Sequence, residues 1–480
     1  MPASDGDIFR MHRDLASAAD TIRSAKDVLV ISHIDADGIT SGAIADITLD
    51  RLGISHTVRF EKKITDDVID DVNKSQHDVV WICDLGSGYL SQFERNGLVI
   101  TDHHVKDPRK RVVNTGSGTQ SSLDCFFGTT LIHHLNPHEY GMDGSYEVCG
   151  AGMTYMLSRT IDSRNTDLAY LAIVGAVGDF QDSNNCRLVG LNRQIMDDAT
   201  ENGDLETEMD LRLFGRNTRP LVQFLQYCND PVIDGISDNP RGCLDVLDSC
   251  KVPVKTNGEW RKWNDLDSNE KTRVCNVLFE RVKEEDLKRL HGEMYRLPRF
   301  DDRSGLNDAK EFATVLNSCG RYDDAETGLR ICKGDMSALE VAEHNRTDHR
   351  RHISSALNYV KDNHLVRKRR FIQWFDAGSE IKETVVGIVA GMILTSGDGS
   401  SQNMPIIAFV DAEDGIKVSA RANRNLVDRG LDLSAVMRTA AEIVGGLGGG
   451  HTVAAGATIP PDQKNRFLDI VEDLVSAQIF

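Results

Sequence analysis

The sequence predicts an α/β protein built from two lobes, and two observations lead to this prediction. Apolar, strand-like segments alternate with helix-like segments in the first part of the chain, which is typical of a parallel sheet with crossover helices. A second α/β pattern begins after Arg370, and the region between the two patterns is polar, charged and rich in helix signals. We therefore expect an N-terminal parallel-sheet domain over residues 1–210, a helical connecting region over 211–370 and a smaller C-terminal α/β domain over 371–480. Substrate would bind in a cleft between the two lobes.

The individual elements follow from runs of apolar residues. The strand-like segments of the first lobe are VLVIS, TVRF, DVVWIC, LVIT and LAIVGAVG, and helices are expected near Ile39–Leu52 and Asp66–Asn73. Turn signals such as SDNPRG and FDDRSG interrupt the middle region. In the last part of the chain, FIQWF, PIIAFV and IKVSAR are strand-like, ETVVGIVAGMIL is apolar, and helices are expected near Leu433–Val444 and Gln463–Ser476.

Composition sets wide limits on the function. The 480 residues carry a formal charge of −19, which argues against a basic surface overall but leaves room for a local basic groove. The N-terminal segment is polar and no run of about 18 apolar residues occurs, so we expect a cytoplasmic protein that makes no membrane contact. Ten cysteines without a CxxC pair predict reduced, mostly buried thiols.

Carboxylates and imidazoles follow four apolar segments of the first lobe. The segments VLVIS, DVVWIC, LVIT and LAIVGAVG lead to eight candidate residues: His33, Asp35, Asp37, Asp84, Asp102, His103, His104 and Asp179. The carboxyl ends of parallel strands meet at one edge of a sheet, where α/β folds bind ligands. A single Asp there is more often a helix cap or a turn residue. Four such elements in one domain predict a site for manganese, magnesium or zinc.

A glycine-rich segment near the C-terminus is the second candidate site. Val444–Gly456 reads VGGLGGGHTVAAG. A flexible linker is the alternative, but apolar residues follow at once and no serine-rich or charged tract continues it. The glycines would let backbone amides approach an anion or a base closely. The segment contains neither a Walker A motif nor GxGxxG, so an ATP-binding or dinucleotide-binding domain is not indicated.

The motifs HIDADG, Asp84, DHH and Asp179 resemble motifs one to four of the DHH phosphoesterase superfamily. The resemblance implies two divalent cations, with Mn²⁺ expected and Mg²⁺ as the alternative. It implies the following ligands: His33, Asp35 and Asp84 for one ion, and Asp37, Asp84, His103 and Asp179 for the other.

The same resemblance implies catalytic roles for three residues. Asp84 would bridge the two ions, and Asp102 would orient a histidine without binding an ion itself. His104 would contact or protonate the scissile phosphate.

The glycine-rich segment is similar to the GGGH signature of the DHH-associated C-terminal domain, and Ser419-Ala420-Arg421 matches the Ser-x-Arg strand of that domain. The resemblance implies six substrate-binding residues: Ser419, Arg421, Gly448, Gly449, Gly450 and His451. Arg421 would pair with a phosphate through two hydrogen bonds, or would alternatively be a surface arginine on an edge strand. His451 would stack on, or hydrogen-bond to, a terminal nucleotide.

Two middle segments, MDLRLFGRNTRPLVQFLQYCNDP and GEMYRLPRFDDRSGLNDAKEFATVLNSCGR, resemble archaeal RecJ-like nucleases, including GINS-associated nucleases, and His33 also fits that group. The resemblance implies a metal-dependent exonuclease that hydrolyses phosphodiester bonds from an end of single-stranded DNA, with RNA as a further substrate, in DNA replication or repair. Arg212, Arg216, Arg219 and the basic run 367–370 would track a phosphate backbone if they face a cleft, and would otherwise be solvated.

Two other functions stay open at this stage. One is a phosphodiesterase for short oligonucleotides or cyclic dinucleotides, and the other is a replisome scaffold that binds GINS or other replisome proteins. The helical region of roughly 150 residues favours longer substrates, and the complete set of acids and histidines favours catalysis. Hydrolysis in either direction along the strand is consistent with these motifs.

Overall fold

The computed structural model describes residues 4–105, 132–183, 186–228, 231–302, 304–396 and 400–479. It divides into two compact units, Met1–Glu343 and His344–Phe480. The three-domain division at residues 210 and 370 and the cleft between lobes stay predictions. No helix in the described residues is long and apolar enough to cross a membrane. Every cysteine in those residues is buried and free of disulfides, and Cys125 lies outside them.

Helices and strands of the first unit alternate from α1 to β3, as the sequence pattern predicts, whereas α4, α5 and α6 follow one another without a strand between them. Its described helices are α1 (Asp5–Ser24), α2 (Ala36–Leu52), α3 (Asp66–Lys74), α4 (Gly150–Ile161), α5 (Ala169–Gly178), α6 (Leu191–Glu201), α7 (Leu221–Gln226), α8 (Pro240–Ser249), α9 (Ser268–Phe279), α10 (Glu284–Leu290), α11 (Ala309–Arg321), α12 (Ala325–Cys332) and α13 (Met336–Asp362), which continues into the second unit. Its described strands are β1 (Asp27–His33), β2 (Ser55–Glu61), β3 (Val79–Cys83), β4 (Leu98–Thr101), β5 (Ile132–Leu135), β6 (Glu206–Leu211), β7 (Lys255–Thr256), β8 (Glu259–Trp260) and β9 (His291–Arg296).

A parallel five-stranded sheet forms the centre of the first unit. Its strand order is β2-β1-β3-β4-β5, and every pairing is parallel. Because helices cover both faces, β3 is buried along its whole length and β1 is buried except at its ends. The carboxyl ends of β1, β3 and β4 therefore lie side by side at one edge, as the sequence predicts.

One predicted strand is wrong. The segment LAIVGAVG was expected to be a strand, but Ala169–Gly178 forms the helix α5. A short apolar run does not distinguish a buried strand from a buried helix by periodicity. Here every residue from Ala169 to Val177 is buried, because α5 packs among α2, α4, α6 and α11.

The middle region contains strands as well as helices. β6 and β9 form an antiparallel ribbon, β7 and β8 form a hairpin, and helices α7 to α9 enclose a core around Phe224 and Trp263. Arg216 is 3% exposed and pairs with Asp210, and Arg212 pairs with Asp182. These two arginines neutralise internal carboxylates and their side chains are buried, so neither alternative, tracking a phosphate backbone or lying on a solvated face, is correct for them.

The second unit is a mixed α/β structure. Its further helices are α14 (Glu383–Ser396), α15 (Arg424–Asp428), α16 (Leu433–Ile443) and α17 (Lys464–Ile479), and its strands are β10 (Arg367–Lys368), β11 (Gln373–Asp376), β12 (Ile406–Ala412), β13 (Gly415–Arg421), β14 (Leu447–Gly450) and β15 (Ala454–Ile459). The sheet order is β10-β11-β12-β13-β15-β14, with only β11 and β12 parallel among these pairings. The basic run at 367–370 begins at the edge strand β10, and Arg369 pairs with Asp469 of α17.

A buried carboxyl group lies at the start of α11. Asp308 caps this helix by accepting hydrogen bonds from the backbone of Lys310 and Glu311. Glu311 is itself buried, and one of its oxygens accepts the backbone N–H of Asn217 at 3.2 Å. Burial, helped by the nearby Asp308 charge, raises the pKa of Glu311 to about 7. The folded state therefore favours the protonated carboxyl group.

We expect Glu311→Gln to remove part of the pH dependence of stability. Because the pKa of Glu311 is raised on folding, its contribution to stability is present at pH 4.5 and is lost as the pH rises towards 7. Glutamine imitates the protonated form, so the free energy of unfolding at pH 8 should rise by about 1–3 kcal/mol, with little change at pH 4.5. Urea denaturation at both pH values measures this. Glu326→Gln, at an exposed position of α12, is the control, and equal destabilisation by Glu311→Gln at both pH values would contradict the assignment.

Candidate metal centre

The end of β1 and the start of α2 supply the first three candidate residues. His33 is the last residue of β1, and Asp35 caps α2 by accepting the N–H of Gly38 at 2.9 Å. Asp37 lies in the first turn of α2, and its two oxygens accept the N–H groups of Gly150 and Ala151, each at 2.8 Å. Both carboxylates thus lie where a helix N-terminus favours negative charge. The capping interpretation and the ligand interpretation of Asp35 are compatible, because a carboxylate has two oxygens.

Asp84 follows β3 in an unusual backbone conformation. Its φ is 58°, in the left-handed region that non-glycine residues rarely adopt, and its N–H donates to the carbonyl of Thr101 at 2.8 Å. The side chain is 1% exposed. A Cβ atom on Gly150 would lie 2.6 Å from the Cβ of Asp84, so α4 can approach only because this position is glycine.

The Asp-His-His segment after β4 is held by Asp102. One oxygen of Asp102 accepts the N–H of Ser87 at 2.8 Å. The other accepts the backbone N–H of His103 at 2.7 Å and the Nδ1 of His104 at 2.8 Å. This arrangement leaves the Nε2 atom of His104 available, on a side chain that is about half exposed.

His103 connects the carboxylates of three segments. Its Nδ1 donates to the carbonyl of Gly144 at 2.7 Å, which leaves the Nε2 lone pair for a ligand. That Nε2 lies 3.2 Å from an oxygen of Asp84 and 3.6 Å from an oxygen of Asp37. Asp179, which immediately follows α5, brings an oxygen to 3.8 Å from the Nδ1 of His103.

These residues form three overlapping groups of donor atoms. In each group the candidate ligand atoms all lie within 4.8 Å of one another: His33, Asp35 and Asp84; Asp37, His103 and Asp179; Asp84, His103 and His104. The structure therefore brings together all six residues that were predicted as metal ligands. Their assignment to two particular ions stays a prediction.

Electrostatic interactions within this cluster are strong. Burial disfavours the charged form of His33, but the adjacent carboxylates of Asp35 and Asp84 outweigh burial and raise its pKa to about 11. Burial alone would raise the pKa of Asp84, but contacts with His103 and His33 lower it below its ordinary value. Without a cation, protons on the imidazoles compensate the central carboxylate.

The other carboxylates are harder to ionise. Burial raises the pKa of Asp37, and the Asp84 charge adds to that effect while His103 opposes it. Burial also raises the pKa of Asp179 to about 6, although His103 again opposes the shift. A bound cation would favour the ionised form of each of these groups.

The donor set fits a divalent cation. Asp84 Oδ1 and His33 Nδ1 are both buried, and their contacts, to His103 at 3.2 Å and to Asp35 at 2.9 Å, lack good hydrogen-bond geometry within the described residues. A buried carboxylate oxygen without a well-aligned donor is costly unless a ligand satisfies it. Carboxylate oxygens combined with imidazole nitrogens are the donors that Mn²⁺, Mg²⁺ and Zn²⁺ accept.

Several supporting residues were missed in the sequence. The carbonyl of Gly144 also accepts Gln181 Nε2 at 2.8 Å, and Asn192 donates to Gln181 Oε1 at 2.8 Å. Gly175 leaves room for Asp37, because a Cβ there would lie 2.7 Å from Asp37 Oδ1. The segment Cys149–Gly152 did offer one signal, since small residues at the start of a helix allow a close approach of its first turn.

A fourth acidic group in the first unit is already neutralised. Asp46, Asp50 and His56 also lie close together. Lys333 pairs with both carboxylates, and His56 Nε2 contacts Asp46 at 2.9 Å. The lysine ammonium supplies the positive charge that a metal ion would bring.

The predicted substrate residues of the second unit lie on β13 and on β14 or just after it, and β15 lies between these two strands. Ser419 of β13 and Gly449 of β14 both pair with Gly456 of β15. Directly opposed residues of antiparallel strands share a face, so these three lie in one row, with Arg421 two residues along on the same face. Arg421 packs against Gly387 of α14, where a Cβ would lie 2.5 Å from its Nη2 atom. Burial lowers the pKa of Arg421, and none of its described contacts is a carboxylate.

The three adjacent glycines have different roles. A Cβ on Gly448 would lie 2.4 Å from the carbonyl of Met437, so this glycine allows α16 to pack. Gly450 has φ 136°, which favours glycine on conformational grounds. A Cβ on Gly449 would meet no atom of the described residues within 4 Å. Gly449 and the exposed His451 therefore remain as the open positions of this motif.

Comparisons with known proteins agree with this architecture. Residues 213–291 match the DHH-CID domain model and residues 370–477 match the DHHA1 domain model. The "Uncharacterized protein MJ0831" of Methanocaldococcus jannaschii is 27% identical over 458 residues, which cover 94% of each chain.

Two solved structures share the fold over nearly the whole chain. Exonuclease RecJ bound to manganese has a TM-score of 0.55 at 16% identity, covering 99% of this chain and 95% of that one. CDC45 from Entamoeba histolytica has a TM-score of 0.56 at 11% identity, covering 98% of each chain.

We expect Asp84→Ala to disrupt metal binding more than any other single substitution. Asp84 and His103 each belong to two of the three donor groups, but only the carboxylate has two oxygens to offer, since the Nδ1 of His103 is bonded to Gly144. Isothermal titration calorimetry with Mn²⁺ should show two ions bound to the natural protein. The variant should lose at least one ion and bind the remainder roughly 100-fold more weakly. Asp50→Asn is the matched control, since its carboxylate already pairs with Lys333. Unchanged stoichiometry and affinity in Asp84→Ala would refute the shared-ligand interpretation.

Proposed function

We propose that this chain, a RecJ-like protein of the DHH superfamily, is a metal-dependent phosphodiesterase that removes nucleotides from an end of single-stranded nucleic acid. The observation that supports this most directly is the cluster of three donor groups around Asp84 and His103. Asp84 belongs to the group of His33 and Asp35, and it also lies 3.2 Å from His103 of the group that contains Asp37 and Asp179. A buried carboxylate beside two donor groups is what a pair of adjacent cations requires. The family-model matches and the fold shared with RecJ are in agreement.

Divalent cations at these groups would stabilise charge on the attacking and leaving oxygens of a phosphodiester and activate a water molecule. The protein's own contribution is positioning. Asp84 is fixed by its buried location and by its hydrogen bond to Thr101, so the distance between the two groups is set by the sheet edge. The helix N-terminus of α4 fixes Asp37 in the same way.

His104 is the side chain that we propose contacts the scissile phosphate. Its Nδ1 is engaged by Asp102, so its Nε2 is the atom that can donate a hydrogen bond or a proton to a phosphate oxygen. Asp102 is buried and also accepts backbone hydrogen bonds, which fixes the orientation of the imidazole. His104 is more exposed than His103, as contact with a substrate requires.

Substrate binding is assigned to the row formed by Ser419, Gly456 and Gly449, together with Arg421. Arg421 presents a guanidinium without a carboxylate contact in the described residues, and a planar guanidinium suits a phosphate. Gly449 and Gly456 leave β14 and β15 without a side chain at this row of the face. A nucleotide could therefore lie flat against the backbone of β14 and β15.

The complete donor set favours catalysis over the scaffold alternative. A protein that only binds partners gains nothing from burying adjacent carboxylates, which destabilise a fold when no cation is bound. The fold shared with CDC45 is compatible with binding to GINS or another replisome protein as an additional property. Failure of the purified protein to hydrolyse any phosphodiester in Mn²⁺ would restore the scaffold alternative.

A time course on end-labelled single strands tests the proposal. With Mn²⁺ or Mg²⁺, strands labelled at the 5′ or the 3′ end should yield mononucleotides, and the label released first defines the direction. Asp84→Ala should reduce turnover by about 1,000-fold or more, because the shared ligand is lost. Asp50→Asn is again the matched control. Faster hydrolysis of a dinucleotide than of a 20-nucleotide strand would favour the short-substrate phosphodiesterase.

Gly449→Ala tests the assignment of the substrate face. The free protein has room for the methyl group, so the midpoint of thermal denaturation should not fall. A methyl between the backbone and a bound nucleotide should raise KM for a single strand by about 10-fold, which corresponds to roughly 1.4 kcal/mol. Gly6→Ala in α1, where an added methyl meets only Ser4 Oγ at 3.7 Å, is the control. An unchanged KM would remove Gly449 from the binding face.

A further inference from the structure

Phe180 is an exposed aromatic residue directly beside the candidate metal centre. It follows Asp179, whose carboxylate lies 3.8 Å from His103, and consecutive Cα atoms are only about 3.8 Å apart. The residue is 67% exposed, which is unusual for so large an apolar side chain. Val105, which follows His104, is likewise exposed. Two large apolar residues thus adjoin the same cluster of ligands, and both are exposed rather than packed in a core of the described residues.

The backbone of Phe180 has a conformation that normally requires glycine. Helix α5 ends in a Schellman motif, in which the N–H of Phe180 donates to Val177 and the N–H of Gln181 donates to Ala176. Phe180 occupies the position after the C-cap residue Asp179, with φ 58°. Glycine is usual there because a side chain in the left-handed region is strained, especially a bulky one. Neither the backbone conformation nor packing of the side chain therefore explains why position 180 is a phenylalanine.

The neighbouring residues hold Phe180 in this position. Gln181 is buried and bonded to the carbonyl of Gly144, which is also the acceptor for His103. Asp179 on the other side faces the donor group that contains His103. With its two neighbours directed inwards, the side chain between them is left in solvent. Strained residues that the surrounding structure holds in place concentrate at ligand-binding sites.

We propose that Phe180 is a stacking platform for the nucleobase of the nucleotide next to the scissile phosphate. An exposed aromatic ring stacks on any base, because every base has a π-face, and such stacking is sequence-tolerant. This inference rests on the proposed function and adds a determinant that neither the acidic ligands nor Arg421 supplies. The metal centre would act on a phosphate, whereas Phe180 would require that the phosphate carry a base.

Phe180→Gly separates a binding role from a structural one. If the ring serves the substrate, glycine relieves backbone strain and the midpoint of thermal denaturation should stay constant or rise. The natural protein should show a KM about 10-fold lower for a normal single strand than for one whose terminal nucleotides are abasic. In Phe180→Gly this ratio should fall to about 2-fold or less. Phe180→Trp should restore the preference for the base-bearing strand.

Lys251→Gly is the matched control for relief of strain. Lys251 occupies the equivalent position after α8, with φ 55° and the same pair of hydrogen bonds, from Lys251 to Asp248 and from Val252 to Leu247. This variant should show a comparable change in the denaturation midpoint and no change in the KM ratio. A lowered midpoint in Phe180→Gly, or a KM ratio equal to that of the natural protein, would overturn the proposal.

These measurements distinguish failure of the stacking role from failure of the proposed phosphodiesterase activity. If the natural protein hydrolyses strands but Phe180→Gly keeps the base preference, only the stacking role fails. If no strand is hydrolysed, fluorescence anisotropy with a labelled single strand in Mn²⁺ measures binding directly. About 10-fold weaker binding by Phe180→Gly would then support the platform, and equal affinity would overturn it.

Discussion

Mutual repulsion among Asp35, Asp37, Asp84 and Asp179 is the constraint on which the organisation of the first unit depends. These carboxylates converge on two imidazoles at one edge of a parallel sheet, and Asp84 is almost fully buried. In a low-dielectric environment, each carboxylate requires a compensating donor. The fold supplies these donors from the N-terminal ends of α2 and α4 and from His33 and His103. A divalent cation would complete the compensation and displace the protons that the histidines otherwise hold.

The sequence could predict most of the site because its residues follow short apolar strands. Acidic residues and histidines stand at or directly after the ends of β1, β3 and β4, where the sequence shows them plainly. Parallel pairing brings those strand ends together. Asp179 was predicted as a ligand but at the end of a strand, because nine consecutive buried residues lack the one-sided pattern that identifies a helix. Its position beside His103 depends on α5 packing among other helices. The supporting contacts of Gly144, Gln181 and Gly150 could not be predicted, since they join segments far apart in the chain.

For arginines and glycines, the residue type alone did not predict which side chains are free to bind a substrate. Arg212 and Arg216 have the residue type and spacing of a phosphate-binding patch, yet each pairs with an internal aspartate. Arg421, by contrast, has no carboxylate among its described contacts. The sequence likewise does not distinguish the three adjacent glycines. In the structure, Gly448 allows α16 to pack, Gly449 leaves the surface without a side chain, and Gly450 adopts a positive φ that favours glycine. Charge and residue type indicate what a side chain could bind. Whether it is available for binding depends on the contacts that it makes in the folded protein.

The close approach of Gly150 to Asp84 has a consequence for how the first unit unfolds. The N-terminal turn of α4 contacts Asp84 through Gly150 and holds Asp37 through two N–H groups. The rest of α4 is part of the central apolar core, together with α1, α2 and α5. A local opening that releases the carboxylates would therefore also withdraw a core helix. The ligands and the core form one cooperative unit, so amide protons in the first turn of α4 would exchange only through openings that also expose this core.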